Sequence, residues 1–198
     1  MPAQSQKLQR ENVNGMNLEK LEGFRASLKK KPVTLGLEAR GIWEGHSGRS
    51  TVHIGPYSID GKRIDRPTRH YTFPYGAWRE VEEIVGFEGP TDRIEPVEMT
   101  LSAIAACLTN SIALNAPRHG IDLKGLEVSV SCNVDPSVLF EVKDPDSHTA
   151  CMPKIKTQVK VKGATDEQLK TIKRLVSYSP VHGLIEYAIP CESKVSKA

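Results

Sequence analysis

The sequence predicts an α+β fold on three observations. A long charge-free run near the middle has helical spacing, two segments after it alternate strictly between apolar and polar residues, and an amphipathic helix then opens on a capping box. The order is strands, long helix, strands, amphipathic helix, with no internal repeat, low-complexity tract or linker. The 198 residues are therefore read as a single domain. Residues 1–33 form an N-terminal arm and helix, 34–95 strands and a lid-like loop, and 96–198 a central helix with a β-β-α-α-β part.

Residues 1–15 are polar and aperiodic, which predicts a loose arm or one lying across a partner subunit. Asn17 is placed to cap a helix reaching about Lys31, with Leu18, Leu21, Phe24 and Leu28 on one face and three lysines at the negative end of its dipole. Leu35, Leu37, Ala39 and Trp43 recur at odd positions, the period of a half-buried strand, and a second strand is expected around Ser50–Ile54. From Gly55 to Pro96, turn pairs (Gly55-Pro56, Asp60-Gly61, Gly89-Pro90) and scattered aromatics around short extended pieces predict a long loop packed over something, a candidate lid.

Pro96 starts the central helix, and Met99, Leu101, Ile104, Leu108, Ile112 and Leu114 cover most of its circumference, so it is expected to be surrounded by protein. Pro117 and Gly120 mark its end. Leu126, Val128, Val130, Cys132 and Val134 alternate with polar residues, as do Ile155, Thr157, Val159 and Val161, which predicts two adjacent strands with one wet, basic face. Thr165-Asp166-Glu167-Gln168 opens the amphipathic helix, Ser179-Pro180 stops it, and a short helix over 181–187 and a terminal strand follow.

An apolar fraction of 38% supplies a core without disulfides. The formal charge of +3 is spread among interspersed acids and bases, which argues against nucleic acid as a partner. The four cysteines fall at wide spacings with no Cys-x-x-Cys, and no apolar signal segment stands at the start, so the expected compartment is reducing and cytoplasmic. The charge-free run from Met99 to Pro117 nears membrane-spanning length, yet Thr100, Ser102, Thr109, Asn110, Ser111 and Asn115 are too polar for lipid. The six histidines have no close ligand spacing, and no metal is expected.

The run Pro96-Val97-Glu98-Met99-Thr100-Leu101-Ser102-Ala103-Ile104-Ala105-Ala106-Cys107 resembles the signature of the OsmC/Ohr superfamily, in which a Pro-x-Glu-Leu-like helix start leads through small residues to a cysteine. The likeness continues through Gly120-Ile121-Asp122-Leu123, Val159 to Gly163, Thr165 to Leu175 and Ser179-Pro180-Val181, and more loosely over Gly41 to Gly48. It implies antiparallel sheets wrapped around two long central helices in an intertwined homodimer, with sites at the subunit interface. It also implies reduction of organic hydroperoxides by a thiolate that becomes a sulfenic acid, then a disulfide with a second cysteine that an external dithiol reduces.

On that resemblance Cys107 is the candidate nucleophile; the reading from residue type alone is a small buried hydrophobe. A thiol inside an apolar helix needs a cation, commonly an arginine held by a glutamate. Three positions depart from the pattern. Ser179 stands where the second cysteine belongs, leaving Cys151, Cys191, Cys132 or an external thiol to resolve the sulfenic acid. In the hydroperoxide reductase branch the glutamate directly follows the proline, whereas here Val97 follows Pro96, so Glu98, the candidate orienting carboxylate, is rotated about 100° around the helix. A gap-free match puts His46 at the position of the catalytic arginine, with Arg49 three residues later. Tyr71, Phe73, Trp78 and His182 are candidate pocket residues, each also explicable as packing or helix-start chemistry.

These readings predict a one-cysteine, thiol-dependent reductase of organic hydroperoxides in oxidative or osmotic stress defence. No bound cofactor is expected, and an external thiol serves as reductant. The competing expectation is a non-catalytic dimer of the same fold that binds a small apolar ligand.

Overall fold

The computed structural model describes residues 12–197, and the chain divides into two compact units: residues 19–100, and residues 12–18 with 101–197. The part of the expected loose arm before residue 12 lies outside the described residues. From residue 12 the chain forms an ordered hairpin: β1 (Asn12–Val13) pairs antiparallel with β2 (Met16–Asn17) across Asn14 and Gly15, both left-handed. The Asn14 side chain donates to the Leu123 carbonyl at 3.0 Å and accepts the Leu123 N–H at 3.2 Å, which ties the hairpin down.

In the unit of residues 19–100, α1 (Leu18–Lys30) ends on Lys29 and Lys30 as expected, but it buries none of its residues within one chain and leaves Phe24 exposed. Beyond it lies a four-stranded antiparallel sheet of β3 (Leu35–Trp43), β4 (Ser50–Ile59), β5 (Lys62–Ile64) and β6 (Tyr71–Tyr75). Strand β4 is central and pairs with all three others. The segment expected to be a long lid-like loop thus supplies the end of β4 and all of β5 and β6 to the sheet, and then forms α2 (Arg79–Val85).

The turn expected at Gly55-Pro56 lies inside β4, because the register steps from Leu37↔Tyr57 to Ala39↔Ile54 and one extra residue is taken up as a bulge. A bulge accommodates a proline that has no N–H to give the ladder. The turn at Asp60-Gly61 does form, with both residues left-handed, between β4 and β5. The odd-numbered face of β3 carries its apolar residues as predicted, yet within one chain Leu37 is 78% and Trp43 68% exposed.

Helix α3 (Pro96–Asn115) passes from one unit into the other and continues as a 3-10 turn, Ala116–His119, ended by left-handed Gly120. Three of its polar side chains bond within the helix: Thr100, Thr109 and Asn115 donate to the carbonyls of Pro96, Ala105 and Ser111. The run Pro96–His119 is long and apolar enough to cross a bilayer by length and composition. The expectation of a helix surrounded by protein is corrected within one chain. Ile104, Leu108 and Ile112, four residues apart, form a single buried stripe, while Ala103, Ala106 and Leu114 are exposed.

In the unit holding residues 101–197, β7 (Leu126–Cys132) and β8 (Ile155–Val161) form an antiparallel ladder from Leu126↔Val161 to Cys132↔Ile155. A short helix, α4 (His148–Cys151), lies in the connection. The predicted capping box is present on α5 (Asp166–Val176): the Thr165 hydroxyl accepts the Gln168 N–H, and the Gln168 side chain accepts the Thr165 N–H at 3.0 Å. Ile172 and Leu175 of α5 join Ile112, Ala116 and Ile121 as the core, with Leu126, Val159 and Val161 packed against it. Each fully buried leucine or isoleucine among them contributes about 1.5–3 kcal/mol of transfer free energy. Helix α6 (Pro180–Glu186) comes next. The expected terminal strand does not form; Ala188 is left-handed and Pro190 has no N–H for a ladder.

Candidate functional site

Arg49, directly before β4, is the best-anchored cation among the sequence candidates. Its Nη2 donates to Glu82 Oε2 at 2.8 Å and to the Gly89 carbonyl at 2.7 Å, and its Nε points at Glu82 Oε1 from 3.5 Å. The Arg49 side chain is 10% exposed and that of Glu82 is fully buried. Glu82 also accepts the Thr91 N–H at 2.5 Å and the Thr91 hydroxyl. The Arg49 hydrogen bond, with those from Thr91, outweighs burial and holds the carboxyl at about 2. Both partners are ionised at neutral pH, and the guanidinium is held from two sides.

Local sequence explains this placement. Helix α2 is seven residues long and ends at left-handed Gly86, whose N–H and that of Phe87 return to the Glu82 carbonyl. The reversal brings the Phe87 ring against Gly48, where a Cβ would stand 2.7 Å from the ring, in a backbone of φ +69°. Gly48 is therefore required for space and for conformation. The Arg49 guanidinium lies 5.9 Å from the Phe87 ring centre and the His46 ring 5.5 Å. The two ring nitrogens of His46 lie 3.1 Å from the Glu88 carbonyl and 3.2 Å from that of Ser47. His46 and Arg49, alternatives in the sequence, thus meet on one aromatic ring.

A second ion pair stands beside the first. Arg93 Nη1 reaches both Glu44 oxygens at 2.9 and 3.0 Å, and Thr51 donates to the same carboxylate at 2.5 Å. The Thr51 bond and then Arg93 lower the Glu44 carboxyl below its usual range. Gly76 separates the pairs: a Cβ there would stand 3.0 Å from Arg93 Cβ and 3.2 Å from Glu82 Oε1.

Glu98 is occupied at the helix start. It accepts the Glu95 N–H at 3.1 Å, while Glu95 accepts the N–H groups of Val97 and Glu98 at 2.6 and 3.3 Å. This is a reciprocal cap built from two glutamates. The carboxylate that holds the arginine is Glu82, which sequence reasoning missed. The available signal was a glutamate-rich stretch, Glu80, Glu82 and Glu83, closed by Gly86, with no apolar period to mark it as a helix.

Cys107 lies eleven residues into α3, roughly 16 Å from the helix start and outside the dipole's first turn. It is half-buried, next to buried Leu108 and one turn from buried Ile104. No described residue of its own unit donates a hydrogen bond to its sulfur. Ser179, buried at 1%, caps α6 by accepting the His182 N–H at 3.4 Å. His182 Nδ1 stands 3.3 Å from Glu186. Tyr71 and Phe73 stack at 6.5 Å on β6, and Trp78 is the exposed residue preceding α2.

Of the other thiols, Cys151 is buried with the Lys143 ammonium 3.9 Å from its sulfur, Cys132 is half-buried and Cys191 exposed. Asp135 binds that lysine at 2.6 Å. Lys143, followed by Ser137, pulls the Asp135 carboxyl far below its ordinary value.

Residues 89–194 match the model of the OsmC-like protein family. No curated protein sequence matches the chain. Among solved structures, an OsmC-like protein from Mycoplasma pneumoniae superposes with a TM-score of 0.52 at 13% identity, over 76% of this chain and 86% of the other, which supports the fold. An organic hydroperoxide resistance protein OsmC from Legionella pneumophila gives a TM-score of 0.42 at 13% identity, over 75% and 88%. With the family match spanning more than half of its length, from just before α3 almost to its end, this chain belongs to the OsmC-like protein family.

Proposed function

We propose that the protein is a thiol-dependent reductase of organic hydroperoxides of the one-cysteine type, acting in oxidative or osmotic stress defence. As the family resemblance implies, Cys107 is the nucleophile, and Arg49 is the cation assigned to stabilise its thiolate. The observation that carries this reading is the Arg49–Glu82 pair, because a fully buried carboxylate committed to one guanidinium fixes a positive charge in place. The Cys107 thiolate attacks the distal peroxide oxygen, the O–O bond breaks, and an alkoxide leaves and takes a proton. The sulfenic acid then condenses with an external thiol, releasing water, and a second thiol displaces the enzyme as a thiolate with formation of the small disulfide. Ser179 has no thiol for the first of these exchanges, which supports the one-cysteine route.

The active assembly in this reading is the intertwined homodimer, in which two copies of α3 pack at the centre. Its support is the apolar surface a single chain leaves uncovered: Leu35, Leu37 and Trp43 of β3, and Ala103, Ala106 and Leu114 of α3. The non-catalytic alternative draws on the Cys107 sulfur, which accepts no hydrogen bond from its own unit. Treatment with an organic hydroperoxide under limiting reductant separates the two readings. The reductase predicts one added oxygen on Cys107 by peptide mass spectrometry and no peroxide consumption by Cys107→Ser. An unoxidised Cys107, with consumption equal in both proteins, would exclude it.

A further inference from the structure

We infer that the polar face of the four-stranded sheet carries a binding site for a small phosphate monoester, separate from the thiol chemistry. The register aligns Arg40, His53 and Thr72 as one row across β3, β4 and β6. Paired residues point to the same face of a sheet, so these side chains stand side by side. They line a cleft of about 430 Å³ that opens where the bulge displaces Gly55 and Pro56.

The donors left open in the cleft point to the ligand. Its carboxylates are both engaged, Glu38 by Arg63 at 3.1 Å and Asp65 by His70 at 2.9 Å. Arg69 is also committed: it donates to the Gly55 carbonyl and lies 4.9 Å from the centre of the Tyr57 ring. Arg40 makes no ion pair or hydrogen bond with a described residue, so its guanidinium is the cation open to a ligand. His53 faces Thr72 through Nδ1 at 3.2 Å, leaving its Nε2 for a ligand. His70 is bound to Asp65 through Nε2, and its Nδ1 would stand 3.2 Å from a Cβ on Gly55, so that nitrogen looks onto the bulge. The fork of the Arg40 guanidinium together with the His53 ring nitrogen, on two neighbouring strands, suits the three terminal oxygens of a phosphate monoester better than a carboxylate, which has only two. The volume exceeds that of inorganic phosphate and leaves room for an organic substituent.

His53 lies four residues along β4 from Arg49, roughly 13 Å of strand, so the cleft can be emptied or filled without touching the Arg49–Glu82 pair. The test is an NMR titration of the full-length protein with inorganic phosphate at constant ionic strength, following Arg40, His53 and Thr72, with acetate as the control anion. Saturable shifts confined to this row are expected. Binding should weaken about tenfold or more in Arg40→Gln and recover in part in Arg40→Lys, with the fold unchanged by circular dichroism. Shifts that grow linearly without saturation, acetate binding as tight as phosphate, or an Arg40→Gln protein that binds like the parent would each overturn the assignment. Peroxide consumption by Arg40→Gln should equal that of the parent, which keeps this result distinct from the fate of the reductase reading.

Discussion

Glu82 sits in the middle of a seven-residue helix with its carboxylate out of water, and everything around it serves the ionised form: one guanidinium, one backbone N–H and one hydroxyl. Glu82→Gln leaves the Arg49 charge without its counterion in a site 10% exposed, and is expected to destabilise the protein by about 3 kcal/mol in urea unfolding at neutral pH. The sign of the pH dependence comes from linkage. Folding lowers this carboxyl from 4.5 to about 2, so the unfolded chain takes up the proton first and the stabilisation, full above 4.5, disappears as pH falls through 2. The gap in unfolding midpoint between the parent and Glu82→Gln should therefore narrow across that window. A gap that is constant with pH would mean that the pair contributes nothing through ionisation. Gly48→Ala tests the neighbouring contact: a methyl group 2.7 Å from the Phe87 ring, on a left-handed backbone, should lower both stability and peroxide turnover.

At the scale of elements, the caps carry separable contributions. Thr165→Ala removes half of a reciprocal pair on α5 and should cost about 1 kcal/mol without changing turnover, since it touches only the helix start. Glu98→Ala should behave likewise if its part is the reciprocal cap with Glu95; a loss of turnover with unchanged stability would return Glu98 to the chemistry. Elements with an intact period were legible in the sequence. The α5 capping box, the alternation of β7 and β8 and the run of α3 all obey a local rule that survives packing. The features that were not legible depend on contacts between distant residues. Gly55-Pro56 has the chemistry of a turn and became a bulge because β4 has partners on both sides. Glu82 lies in a stretch without apolar periodicity, and only the return of the chain at Gly86 reveals which of its acids turns inward. Arg49 was legible as a residue type in a glycine-bounded turn; its partner, 33 residues away, was not.

Over the whole molecule, the surplus of exposed apolar surface on β3 and α3 is the support for the proposed dimer. Sedimentation at micromolar concentration should give twice the chain mass, and Leu37→Lys, which places a charge on the most exposed apolar residue of β3, should shift the protein toward monomer. Turnover should fall with dimer content, whereas the phosphate response of the Arg40 cleft should persist in the monomer. The central claim, that the guanidinium held by Glu82 ionises the central-helix thiol, is tested most directly by the rate at which iodoacetamide alkylates Cys107 from pH 5 to 9 in the parent and in Arg49→Gln. The account predicts a rate that stays high below neutral pH in the parent and falls steeply there in the variant. Equal rates for the two proteins at every pH would contradict it.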